Sequence, residues 1–518
     1  MTTSYSVVIC LFMTQFIEIK SARILAVYPT PSISHQVVFR RLTDELIKRG
    51  HQITVVTTDP KYPQRQTPEN LTEIDVHDIS YKLWKNQLAQ LKWEKDRFAA
   101  ITIFRISSII FKEQLMTQEF QDIIKKKKGE YDLLLLEAYI KPTLVLSEIF
   151  NVPVILVSSF GAVNYNYYAV GAPSHPFIYT HPVQRKIYNL TKIEKLQLLY
   201  DNWQLEKMFS ALEREDNERL KSIFGPNVPS IDVLFNNVDL LMLNLHSIWV
   251  ENHPVPPNTI YIGGLHLQSS RDLPKELQSY LDASKNGVIY FSFGTNVRPE
   301  LLPPQKIQMF VNVFSQLPYD ILWKWDLDTL PGKSKNIRIS KWFPQADLLR
   351  HPKVKVFITQ GGLQSTDEAI RAGVPMIGVP MLGDQWYNVQ KYVRHGIGVQ
   401  LDINTLTENE FKEAIETVIN DKSFRENIIR LRNVIEDQPM TPAERAVWWV
   451  EHIIRHGGGK HLRAAGANMT WRQYLELDLV LIVLSVIISL LAIGLTIIYS
   501  FWKFVTKNFR TNIKIKKN

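Results

Sequence analysis

The sequence predicts an α/β protein, with two doubly wound domains facing one another across a cleft and one transmembrane helix at the C-terminus. Three observations lead there. Short apolar runs alternate with amphipathic helical patterns in two separate series. Glycine, serine and proline collect between the series, around Gly263–Lys275. Leu479–Trp502 contains 24 residues without a charge. A chain of 518 residues is too long for one ordinary domain. A composition 45% hydrophobic and 21% charged excludes a disordered or collagen-like chain. One cysteine excludes an internal disulfide and a thiolate zinc cluster. The net charge of +9 suits nucleic acid or an anionic membrane, and its placement decides between them.

Residues 1–21 read as a signal peptide. Tyr5–Ile19 is apolar but short for a span, and cleavage falls near Ser21 or Ala22. Uncleaved, the segment would be a buried strand or an anchor. Cys10 lies within it, so the mature chain would contain no cysteine. The N-terminal domain is expected over residues 22–265. Ile24–Tyr28 has the pattern of a buried strand closed by Pro29. His35–Arg49 is helical in period, with Val38, Leu42, Leu46 and Ile47 on one face, and Gly50 stops it. Gln52–Thr57 is the next strand, completing a βαβ unit. Leu133–Leu136 and Val154–Val157 are further strands, separated by a helix over Pro142–Phe150. Lys125–Lys128 reads as a solvated helix end. No repeat with a period of 20–50 residues is present.

The second domain is expected over residues 275–456. Its strands are Gly287–Phe293, Ile321–Trp325, Lys355–Thr359 and Met376–Val379. Its helices are Pro304–Gln316, Ser365–Ala372 and Gln385–His395. Ligands of such folds sit at the carboxyl ends of the strands, which places a site in the cleft. Residues 457–478 form a juxtamembrane linker. As a helix, 479–502 runs about 36 Å, enough for a bilayer core of about 30 Å. Tyr499 and Trp502 suit the interfacial belt. The tail 503–518 holds six of the positive charges and no acid, leaving +3 for residues 1–502. Positive flanks stay cytoplasmic, so the body would be lumenal and the protein a single-pass type I membrane protein. The basic balance then reports a membrane flank and gives no support for a nucleic-acid surface. Lys514 and Lys516, five and three places from the end, resemble a dilysine signal of the endoplasmic reticulum, and a generic basic flank is the plain alternative. Three N-x-T sequons, at Asn70, Asn189 and Asn468, are candidate glycosylation sites.

Residues 357–368 (FITQGGLQSTDE) carry the strongest chemistry. A strand ends, two glycines turn the chain, and a helix begins. The glycines admit a close ligand, and the helix start favours an anion by roughly 0.3–2 kcal/mol. The string matches neither a G-x-G-x-x-G fingerprint nor a Walker loop. KWFPQADLLRHP precedes it and GVPMIGVPMLGDQWYNV follows it. This order of W-x-P-Q, F-I-T-Q-G-G-x-x-S-x-x-E and P-x-x-x-D-Q resembles the UDP-glycosyltransferases (glycosyltransferase family 1), and the FITQGGLQST form resembles the arthropod branch. The resemblance runs from about Ile24 to the basic tail. It implies the GT-B fold of two Rossmann-like domains. It also implies a UDP-sugar co-substrate without a separate cofactor or metal, and a small lipophilic acceptor. Monomer and homo-oligomer both stay open.

Carried over by position, Trp342 would stack on uracil and Gln345 would bond its edge. Gln360 stands where many members have a phosphate-contacting histidine. Gly361, Gly362 and Ser365 would offer donors to the diphosphate, and Gly294 and Thr295 would face it from the next loop. Glu368 would accept from the ribose, and Asp384 and Gln385 would bond the sugar. Taken singly, each has a plain structural reading: Trp342 as core, Glu368 as a solvated helix face, Asp384 as a cap. His35, at a strand's carboxyl end, matches the family's general base. An imidazole exchanges protons near neutral pH, as that task requires. The resemblance assigns its carboxylate partner to the position of Glu137, where the family usually has aspartate. Asp132 lies at the far end of that strand. The implied reaction is direct displacement with inversion.

Asp326-Leu-Asp328 resembles the D-x-D of metal-dependent glycosyltransferases, but it follows a strand away from the phosphate loop and reads as a turn. Phe160–Tyr179, rich in tyrosine, phenylalanine and glycine, would line an apolar acceptor pocket or touch the membrane, with ordinary buried loop packing as the plain alternative. Glucose is the expected sugar, and Asp384-Gln385 also fits glucuronate. An enzyme acting on an endogenous lipid and a non-enzymatic sugar-nucleotide or lipid binder are the competing readings. The second need keep neither His35 nor its carboxylate.

Overall fold

LLLLE (133–137) and VILVS (154–158) are buried at every position, as strands covered on both faces must be. They lie in a seven-stranded sheet built from β1 (Arg23–Tyr28), β2 (Gln52–Thr57), β3 (Leu71–Asp75), β4 (Leu133–Glu137), β5 (Val154–Ser158), β6 (Val238–Leu243) and β7 (Thr259–Tyr261). Its order is β3-β2-β1-β4-β5-β6-β7, and every pairing is parallel. A second parallel sheet contains β8 (Val288–Ser292), β9 (Asp320–Lys324), β10 (Ile337–Ser340), β11 (Val354–Thr359), β12 (Met376–Gly378) and β13 (Gly398–Gln400). Its order is β10-β9-β8-β11-β12-β13. The computed structural model describes residues 21–63, 66–88, 99–126, 128–295 and 302–515. The expected signal segment thus lies outside the described residues, apart from Ser21.

The strand order reverses between β1 and β4 in the first sheet and between β8 and β11 in the second. Crevices open at such switch points, beyond the carboxyl ends of the strands. His35 lies in the first turn of the helix that follows β1, and the loops after β4, β8 and β11 carry Tyr139, Gly294 and Gly361 respectively.

Residues 21–464 form one compact unit containing both sheets. One continuous apolar cluster covers a face of each sheet and joins them through Leu245, Trp249, Leu363 and Tyr392. The opposite face of the first sheet is closed by helix Ile33–Lys48 and, unexpectedly, by helix Pro442–His456. Ala446, Val447, Val450 and Ile453 of that last helix pack with Ile24, Ala26, Val38 and Leu42. Residues 442–456 were expected in the second domain, but the chain crosses back to pack on the first sheet. An amphipathic stripe announces a buried face without saying which sheet it covers. The expected helix over 142–150 begins with a tight turn, Lys141–Leu144, before the α-helix Val145–Phe150. The weak strands β3, β6, β7, β10 and β13 were not anticipated, nor was the 33-residue helix Lys192–Phe224.

The expected linker 457–478 is divided. Residues 457–464 belong to the first unit, where the Gly459 N–H donates to Asp239 at 2.6 Å. Residues 465–515 form the second unit. Its helix spans Leu477–Ile515, of which Leu477–Asn508 is long and apolar enough to cross a membrane.

Candidate active site

β1 runs out at Tyr28 and Pro29, Ser32 precedes the next helix, and His35 falls in that helix's first turn. β4 lies beside β1 and ends at Glu137. This register brings His35 Nδ1 within 3.0 Å of Glu137 Oε1. The other carboxylate oxygen accepts the Thr30 backbone N–H at 3.1 Å. Glu137 is fully buried, while His35 is 19% exposed. Phe160 packs edge-on against the imidazole at 5.5 Å and stacks on Tyr139 at 4.0 Å. Nδ1 is thereby occupied, and the ring lines the adjoining cavity. Asp132 instead pairs with Arg23 at 2.8 Å, at the opposite end of β4.

On the other side, Gly361 has φ +90° and Gly362 caps helix Leu363–Ala372. A Cβ on Gly361 would overlap the Val389 side chain, so the turn requires glycine. Gly294, at φ +71°, packs directly against the Gln360 amide. Gln345 ties the donor side together. Its Oε1 accepts from Tyr290 OH at 3.0 Å, and its Nε2 donates to Ser365 Oγ at 2.9 Å and Glu368 Oε2 at 2.7 Å. Burial pushes the Glu368 carboxyl up to about 7, against the opposing hydrogen bond from Gln345. Trp342 is 64% exposed at the rim, poised as a stacking surface.

The Asp384 carboxyl is also raised by burial, while a 2.9 Å bond from Asn388 and the charge of His35 act the other way. Gln385 Oε1 accepts the Met381 and Leu382 N–H groups at 2.8 and 2.9 Å, which leaves its NH2 for a ligand. Gln360 is buried, and its Oε1 has no partner among the described residues.

These groups meet in one cavity of about 560 Å³. His35, Gly294, Thr295, Trp342, Gln345, Gln360, Gly362, Ser365, Glu368, Asp384 and Gln385 all line it, with Glu137 and Gly361 directly behind. Of the expected acceptor segment only Phe160 and Val163 reach the cavity. Tyr165 turns away to pack on Phe104 and Phe209. The apolar end is completed by Trp84, Ile103 and Phe104, which sequence analysis missed. They come from helices His77–Leu88 and Ala99–Leu115, and the unusually apolar run AAITIFRISSIIF was the available signal. Lys324 and His266 also line the cavity and were missed.

Asp326 pairs with Lys324 at 2.6 Å and Asp328 with Lys341 at 2.7 Å, so each aspartate of the D-x-D string faces a lysine. The Asn70 amide donates to the carbonyls of Ile47 and His51, at 3.0 and 2.9 Å. Asn189 is exposed. Asn468 lies in the second unit.

Comparison with known proteins gives a match over most of the chain. The family described as "UDP-glucoronosyl and UDP-glucosyl transferase" matches residues 23–517. An ecdysteroid UDP-glucosyltransferase of Lymantria dispar multicapsid nuclear polyhedrosis virus is 37% identical, over 93% of this chain and 97% of that protein. UDP-glucosyltransferase 2 of Dactylopius coccus is 32% identical over 91% and 92%. Human UDP-glucuronosyltransferase 2B10 is 30% identical over 90% and 92%. Among solved structures, a UDP-glucose: anthocyanidin 3-O-glucosyltransferase in complex with UDP superposes with a TM-score of 0.58. It is 17% identical, over 84% of this chain and all of that one, and shares the GT-B fold.

Proposed function

The chain belongs to the UDP-glycosyltransferase family, and from that premise we propose a membrane-anchored, inverting enzyme that moves glucose from UDP-glucose to a hydroxyl of a small lipophilic acceptor. The observation that carries the reading is the His35–Glu137 pair, which faces Asp384 and the Gly361–Ser365 turn in a single cavity. The acceptor oxygen attacks the anomeric carbon as the bond to UDP breaks on the opposite face. Its proton passes to His35 Nε2, and buried Glu137 stabilises the imidazolium that forms. The start of helix Leu363–Ala372, with Thr295 and Gln360, receives the charge that develops on the diphosphate. Asp384 and Gln385 hold the sugar hydroxyls, and Trp84, Phe104 and Phe160 hold the acceptor.

Glucose is favoured over glucuronate by the viral and scale-insect relatives, whose names specify glucosyl transfer. The viral relatives' names also make a polyhydroxylated steroid the first acceptor to test. An endogenous lipid remains the second acceptor class, favoured by the apolar lining. The buried carboxylate behind His35 argues against a mere binder, which gains nothing from it. The apolar helix would anchor the protein, with the first unit lumenal and the basic tail cytoplasmic.

The test is UDP release by membranes carrying the protein, with a donor panel crossed against steroid, phenol and flavonoid acceptors. His35→Ala should abolish transfer while UDP still binds. Retained turnover would remove the base assignment. EDTA should leave the rate unchanged, and strong inhibition would establish a metal-dependent step.

A further inference from the structure

One buried amide ties the sugar end of the cavity to the first sheet. Asn388 stands on helix Gln385–Arg394, one turn after Asp384. Its Nδ2 donates to Asp384 Oδ2 and to the Gly361 carbonyl, each at 2.9 Å. Its Oδ1 accepts the Trp249 indole N–H, also at 2.9 Å. Trp249 belongs to the turn Ser247–Val250 that follows β6, 139 positions away in the chain. An amide offers two N–H hydrogens and one oxygen, and all of them are engaged here. Turned over, the amide would set its oxygen against a carboxylate and a carbonyl, and its NH2 against an N–H. The surroundings therefore permit a single orientation.

Trp249 is a fixed anchor. It is buried, its ring stacks on His395 with centres 5.7 Å apart, and its carbonyl accepts from Tyr387 OH at 3.3 Å. Nearby, Glu251 pairs with the buried Lys391, and Gln390 accepts the Ile187 N–H at 2.9 Å. Helix Gln385–Arg394 is thus docked along its length on segments that belong to the first sheet's part of the chain. The helix at the phosphate turn has its own tie, since Gln364 Nε2 donates to the Ser159 carbonyl at 2.9 Å. Transfer needs the acceptor oxygen within about 3–3.5 Å of the anomeric carbon. His35, beside the first, comes from one sheet, and Asp384, beside the second, from the other. A link from Asp384 back to the first sheet sets that separation.

We propose that Asn388 is a positioning residue: anchored by Trp249, it holds the Asp384 carboxylate in register with His35 across the cleft. This role presupposes that Asp384 holds the sugar. Asn388 itself does not line the cavity, so it acts through the oxygen it bonds. Its bond to the Gly361 carbonyl fixes the phosphate turn in the same frame. Burial raises the Asp384 carboxyl and the Asn388 N–H opposes that rise, so the amide also favours the ionised carboxylate, the stronger acceptor.

The experiment measures kcat for transfer from UDP-glucose to the most active acceptor of the panel, and Kd for UDP, on the full chain. The variants are Asn388→Ala, Trp249→Phe, Asp384→Asn and the double Asn388→Ala/Asp384→Asn. Asn388→Ala should lose about 10–100-fold in kcat, and Trp249→Phe about 2–10-fold. UDP, which lacks the sugar, should bind to both as it does to the parent. The double variant should match Asp384→Asn alone within about twofold, because a residue that acts through Asp384 then has nothing left to position. Losses that multiply would leave Asn388 a packing role and overturn the proposal, as would parental turnover by Asn388→Ala. Where Asn388→Ala no longer binds UDP, Trp249→Phe decides: slowed turnover with UDP still bound supports the anchor, and parental turnover overturns it. Parental turnover by Asp384→Asn would remove Asp384 from the sugar, a failure of the underlying reading that takes the positioning role with it.

Discussion

Replacing Glu137 by glutamine preserves the side chain's shape and removes its charge. Two donors converge on the native carboxylate, the Thr30 N–H at 3.1 Å and His35 at 3.0 Å. Glutamine has one acceptor oxygen and one NH2. If the oxygen stays with Thr30, the NH2 faces Nδ1 and forces the ring proton onto Nε2, the atom that must accept from the substrate. If the amide flips, its NH2 opposes the Thr30 N–H. Both arrangements disable the base.

The lost attraction to the imidazolium, across 3.0 Å at an effective dielectric of about 20, is about 5 kcal/mol. His35 is partly solvated, so a discounted figure of about 4 kcal/mol corresponds to roughly a thousandfold in kcat. The assay is initial-rate UDP release from UDP-glucose with a saturating acceptor, run on the parent, Glu137→Gln and Glu137→Asp. Glu137→Gln should lose about 10³ in kcat with an unchanged KM for UDP-glucose. Glu137→Asp keeps the charge but withdraws it by one methylene, and should lose about 10–100-fold. A Glu137→Gln enzyme within about tenfold of the parent would refute the pairing.

Three further outcomes are expected. Trp342→Ala should raise the KM for UDP-glucose by about 5–150-fold, the equivalent of roughly 1–3 kcal/mol of stacking. The thermal midpoint should not move, because the ring is largely exposed. Burial raises the Glu368 carboxyl to about 7, and its ionised form is the stronger acceptor for the ribose hydroxyls. UDP-glucose should therefore bind about tenfold more weakly at pH 6 than at pH 8, releasing a proton below pH 7, and Glu368→Gln should flatten the profile in a binding titration. The sign reverses for stability. A carboxyl raised on folding contributes less as pH rises, so the ligand-free protein should lose part of its stability between about pH 4.5 and 7. Gly361→Ala should cost about 2–4 kcal/mol through a disfavoured φ and overlap with Val389, read as a lowered thermal midpoint. A parental midpoint would show that the turn relaxes freely.

Much of the site was legible in the sequence because its groups sit at loop positions that local patterns define. FITQGG reads as a strand ending in a glycine turn, and His35 follows a strand closed by Pro29. The acceptor end was legible only in part. Phe160 and Val163 sit in the expected segment, but Trp84 and Phe104 arrive from helices far away in the chain. Nothing in their own periodicity says what they face. Asn70 shows the same limit, since its sequon is visible but its bonds to Ile47 and His51 are tertiary.

By itself the sequence determined the two α/β series, the loops that carry the chemistry and the apolar span. Each of these is set by neighbouring residues, through a period of two or 3.6, a glycine turn, or sheer apolar length. Tertiary structure alone decided the rest. It set which strands lie side by side, brought His35 to Glu137 across 102 positions, and returned helix Pro442–His456 to the first sheet. It also joined Gln345 to Tyr290, Ser365 and Glu368. The physical reason is that burial is non-directional. An apolar stripe must be covered, and only the packing of all the others determines by what.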